Sequence, residues 1–135
     1  MRSITGDKEI LNNLFRQKSK MLDNVSVVVE KTCVDVANHA KAGHAGNMAH
    51  ASQRYQNQTS NLTNSILPEM LEVNFSQVHG IVPATMEYAA TVEFGNTTGV
   101  NVRTGQKNKP YPYLAPALFA CVSKFKDRMS KILKK

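Results

Sequence analysis

Between residues 8 and about 42, apolar side chains recur at helical spacing: Leu11, Phe15, Leu22, Val25, Val29, Cys33, Val36 and Ala40 share one stripe. Lys20, Asp23, Glu30, Lys31 and Lys41 fall mainly on other faces, so the pattern predicts one long helix with a single face for a core. Lys18 interrupts the stripe, and helix propensity disfavours the β-branched run Val27-Val28-Val29; the prediction rests on periodicity. Asp7 is the candidate N-cap, and Gly43 followed by Gly46 supplies the stop. At about 1.5 Å per residue the helix is on the order of 50 Å long. That is long for a domain this small, and one end is expected to project.

Residues 43 to 58 are small and polar with no sustained period, which reads as a loop. Thr59 to Ile66 is a short helical turn capped by Thr59 or Ser60, with Leu62 and Ile66 four residues apart on one side and Pro68 ending it. From Met70 to Met86 apolar residues alternate loosely, with a break at His79-Gly80, and predict an antiparallel hairpin. Glu87 to Phe94 reads as two turns of helix with Tyr88, Ala89 and Val92 on one side and Gly95 as the stop. Residues 95 to 110 form a long polar loop, expected to be mobile. Pro110 and Pro112 hold an extended entry to a last helix, and Pro116 suits that helix's first turn. There Leu118, Val122, Phe125, Met129 and Ile132 form the apolar stripe, with Lys124, Arg128, Lys131 and Lys135 as a basic stripe opposite. The expected architecture is α+β: a long N-terminal helix and a C-terminal helix packed on a small antiparallel sheet, in one domain spanning residues 1–135.

Composition changes this picture little, but charge changes it more. With 135 residues, 41% hydrophobic and 7% aromatic, the chain has room for one aliphatic core without staples. Its start carries no apolar stretch of signal-peptide length, and no window approaches a membrane span, so a soluble, intracellularly made protein is expected. Cys33 and Cys121 are then reduced core thiols. The net charge is +7, but residues 55 to 102 contain four acidic residues and no Lys or Arg, while residues 103 to 135 carry nine basic residues against one acidic. Such segregation suits binding nucleic acid through the basic ends, or copies of the chain binding head to tail.

Catalytic chemistry has little support. His39, His44 and His50 are spaced by five and six in a Gly/Ala-rich segment, which is not metal-ligand helical spacing, and no nucleophile elbow, Cys-x-x-Cys pair or phosphate loop is present. Glu69 and Glu72 lack a partner base. The Asn-x-Ser/Thr sequons imply nothing without a secretory route. The basic stripe is not accompanied by a helix-turn-helix, zinc-finger or aromatic stacking motif.

The second half of the chain carries a resemblance. Tyr88-Ala89-Ala90-Thr91-Val92-Glu93-Phe94-Gly95-Asn96 resembles the Tyr-Ala-x-x-Val-Glu-Phe-Gly-Thr segment of the head-tail joining, or tail-completion, proteins of long-tailed bacteriophages. Pro112-Tyr113-Leu114-Ala115-Pro116-Ala117-Leu118 is similar to that family's Pro-Phe-Leu-x-Pro-Ala-Leu entry into a last helix. Upstream, Thr59 to Ile66 resembles its Thr-Gly-x-Leu-x-x-Ser-Ile segment, with Ser60 where the family often has Gly. The three segments stand in the family's order.

The resemblance implies a non-enzymatic virion protein without cofactor, assembled in the host cytoplasm and located in the neck at the head-tail interface. It implies a homo-oligomeric ring of six or, less readily, twelve copies between the head connector or adaptor and the tail terminator or tail tube protein. Genomic DNA would pass through the lumen unread, and no membrane is involved. Tyr88, Val92 and Phe94 are expected in the core with Leu114 and Leu118 packed beside them, and Leu62 and Ile66 belong to the structural motif. Arg103, Lys107 and Lys109 of the loop, together with Lys124, Arg128, Lys131 and Lys135, are candidate interface cations. The expected counterparts of the three loop cations are Glu69, Glu72 or Glu93 of an adjacent copy, or acidic groups of the connector. The alternative is a small basic nucleic-acid-binding protein.

Overall fold

A computed structural model describes residues 5–44, 60–74, 76–95, 105, 107 and 110–134. Helix α1, Thr5–His44, is one unbroken element of 40 residues, about 60 Å long. The first turn contains Asp7, so this carboxylate complements the helix dipole from inside rather than capping it. Gly43 falls within the last turn.

Helix α2, Asn61–Ser65, follows Ser60, whose φ of 57° is left-handed. Strands β1, Glu69–Val73, and β2, Val78–Ile81, form the expected antiparallel hairpin, with Glu69 opposite Ile81, Val73 opposite Val78 and a bulge between Met70 and Glu72. The turn lies at Asn74 to Gln77, where the Asn74 side-chain Oδ1 accepts the backbone N–H of Ser76 at 3.1 Å and of Gln77 at 2.9 Å. His79-Gly80, read from the sequence as a break, is inside β2. Gly80 is there because the strand runs against α1: a Cβ at this position would lie 2.5 Å from Cys33 Sγ and 2.9 Å from Val29 Cγ1. Helix α3, Ala89–Phe94, is shorter than predicted and ends at Gly95, φ 75°, whose N–H returns to the Thr91 carbonyl. Helix α4 is Leu114–Leu133. The fold is mixed α+β and mostly helical.

One core joins these elements: Val36, Ala37 and Ala40 of α1, Leu62 and Ile66, Ala89 and Val92 of α3, and Tyr113, Ala117 and Cys121 at the start of α4. Alanines on both long helices let their backbones approach closely, and the helices run antiparallel, because Arg128 reaches Asp35 and Thr32 while Ala117 joins the cluster of Ala37 and Ala40. The Ala117–Cys121 face that α4 buries is rotated from the predicted one. Leu118 is 54% exposed, and Val122, Phe125, Met129 and Ile132 are only half-buried.

Candidate assembly surfaces

The first turn of any helix leaves backbone N–H groups without intrahelical acceptors. At α4 the capping position is Tyr113, whose side chain makes no cap, so the acceptor must come from elsewhere. It is Glu93, 20 residues upstream and buried. Its Oε2 accepts the N–H of Tyr113 at 2.7 Å and of Leu114 at 3.0 Å, and its Oε1 accepts that of Ala115 at 2.9 Å. The Tyr111 N–H adds a 2.7 Å bond to the Val92 carbonyl. Burying this carboxylate is tolerated because it is met by three donors at the positive end of a 20-residue helix. Glu93, expected to reach a neighbouring copy, is committed inside its own subunit. The usual sequence signal is a cap residue next to the helix, and here the cap is distant in the chain.

The basic stripe of α4 also divides. Arg128 makes a 2.8 Å ion pair with Asp35 and a 3.4 Å hydrogen bond to Thr32 Oγ1, so it ties α4 to α1 rather than facing a partner. Lys124 and Lys131 are exposed, as are Lys126 and Lys134, which sequence reading did not single out. Arg103, Lys109 and Lys135 lie outside the described residues, as does most of the 95–110 loop; Lys107 is exposed. Glu69 is exposed at the start of β1, and Glu72 opposes His79 in the ladder.

Two apolar features lie outside the core. Phe94 is 74% exposed and Tyr88 38%, against expectation, because α3 presents only Ala89, Val92 and Glu93 inward. Phe94 and Leu118 instead border an apolar groove of about 900 Å³. Val29, Cys33 and Val36 of α1 form one wall, Gly80 and Val82 another, and Ala90 of α3 with Leu114 of α4 a third. The second feature is the outer end of α1. Residues 6 to 21 are exposed without interruption, and they include Ile10, Leu11, Leu14, Phe15 and Met21, each 46–59% exposed.

No group of three or more His, Cys, Asp or Glu among the described residues could hold a metal ion. Cys33 and Cys121 are free and buried, and burial pushes both thiols up; near Cys121, Asp35 adds to that effect while Lys124 and Arg128 oppose it. No helix among the described residues is long and apolar enough to cross a membrane.

No family model, curated protein or solved structure matches the chain.

Proposed function

We propose that this chain is a structural component of a bacteriophage neck, joining the DNA-filled head to the tail as a closed ring. The observation that carries the reading is the join made by Glu93. The two most distinctive segments of the resemblance, Tyr88 to Asn96 and Pro112 to Leu118, meet in space, the acid of the first capping the helix that the second begins. Their residue types thus serve one structural unit, which supports reading the two segments together. Ser60 adds support: it stands where that family often has Gly, and its φ of 57° is a conformation that favours glycine. The exposed apolar stretch of α1 fits a protein whose working state is an assembly. In the ring each copy would offer two different faces, as closed cyclic symmetry requires.

The direct test is a null mutant of the gene in its phage, examined by electron microscopy. The reading expects filled heads and separate tails that fail to join; a normal yield of joined, infectious particles refutes it. Exposed Lys124, Lys126, Lys131 and Lys134 on one helix favour a second reading, a small nucleic-acid-binding protein. That reading expects measurable affinity for duplex DNA that falls steeply with added salt, roughly one decade per decade of salt for each phosphate neutralised.

A further inference from the structure

We infer that the outer half of α1 in one copy seats its apolar stripe in the groove of the next copy, making a head-to-tail contact. The inference deepens the ring reading and rests on it for closure, but the contact itself is a property of the purified chain.

A stripe and a groove of matching chemistry occur on the same molecule. Ile10, Leu11, Leu14 and Met21 fall within one side of α1, in line with Val28, Cys33 and Val36, which the fold buries. The groove has apolar walls from four parts of the chain and a rim of exposed Phe94 and Leu118.

The chain's own stripe cannot fill its own groove. The inner half of α1 is a wall of that groove, and Leu14 lies about 27 Å along the same unbroken helix from Thr32, also in the wall. Seating it internally would mean breaking the helix. A second copy can present the stripe without strain.

Charge selects the same partner. Residues 5 to 20 carry Lys8, Arg16, Lys18 and Lys20 against Asp7 and Glu9. Residues 60 to 95, which supply most of the opposing walls, carry Glu69, Glu72, Glu87 and Glu93 and no Lys or Arg. Glu69 and Glu87 are exposed. A helix segment of net positive charge thus meets a chain segment that carries acids and no Lys or Arg. Glu93 in the groove lining is already bound to the start of α4, and Glu69 and Glu87 stand outside that lining. Two stripes paired with each other would instead bring like charges together.

Stripe and groove are different patches, so the contact is heterologous: it propagates until rotation closes a ring. The contact consists of one helix face in one groove, whereas standard interfaces bury roughly 800 Å² per partner over about 20–30 residues a side, so an isolated pair should be weak.

The test uses two variants of the full chain, one with Leu11→Asp and Leu14→Asp in the stripe, the other with Ala90→Arg in the groove. Both positions are exposed or groove-lining, and circular dichroism checks the fold; Leu118→Asp replaces Ala90→Arg if the latter unfolds. Sedimentation velocity of the wild type should show self-association as concentration rises toward about 0.5 mM, and each variant alone should associate at least roughly tenfold more weakly. An equimolar mixture of the two should form a heterodimer and nothing larger, since each contributes the half the other lacks. A groove variant that still self-associates like the wild type would show that stripes pair with stripes, and the inference fails. It fails equally if the wild type stays monomeric or the mixture forms no heterodimer. Any of these failures leaves the null-mutant test of the neck reading untouched.

Discussion

The two halves of α1 carry the same apolar period and meet opposite fates. From Val28 to Ala40 the stripe is covered by α2, the hairpin and α4, and Val36, Ala37 and Ala40 are at most 5% exposed. From residue 6 to residue 21 every position of α1 is exposed, and no other element among the described residues covers the stripe. Periodicity reports that a helix face is meant to be covered. It does not report which chain covers it.

The sharpest way to break this comparison is to put one charge at matched positions in the two halves. Val36→Asp buries an unpaired carboxylate in the core and should cost more than about 4 kcal/mol, enough to abolish cooperative unfolding in a domain this size. Thermal melting followed by circular dichroism reads it; a retained transition would mean that the inner half is not the core.

Glu93→Gln comes next. It replaces an acceptor-only group with an amide whose NH₂ faces backbone donors, and should cost roughly 2–4 kcal/mol by urea denaturation. Because α4 is then poorly seated, amide protection should fall in residues 28 to 40 of α1 and not in 6 to 21. A loss under about 0.5 kcal/mol would mean that the three hydrogen bonds are dispensable.

Leu14→Asp should have the smallest effect on the monomer. Surface substitutions usually stay within about 0.5 kcal/mol, so the melting temperature of dilute protein should barely move while self-association weakens. A drop of several degrees in dilute protein would place Leu14 in a packed interior.

Much of the fold was legible because its signals are local. The α1 stripe, the hairpin, Leu62 with Ile66, and Gly95 as a stop each depend on spacing within a few residues. What was misread depends on contacts between distant segments. Glu93 looked like a surface acid until α4 was placed beside it, although Tyr113, a poor cap before a helix, hinted that a cap had to arrive from elsewhere. Phe94 and Leu118 looked like core because they are large and apolar, yet the core took the small residues beside them, Val92, Ala117 and Cys121, and left the large ones at the groove rim. Gly80 carried a usable signal, since a glycine inside a strand marks close backbone approach, and that approach is to α1.

The central claim is that the outer half of α1 is built for another copy and the inner half for its own subunit. Amide hydrogen exchange on the wild-type chain, compared between dilute and concentrated solution, tests it most directly. In dilute protein, residues 6 to 21 should exchange with little protection while residues 28 to 40 approach the global stability of the domain. Raising the concentration should slow exchange in residues 6 to 21 and leave 28 to 40 as they were. Strong protection of residues 6 to 21 in the dilute monomer, or none at any concentration, would contradict the account.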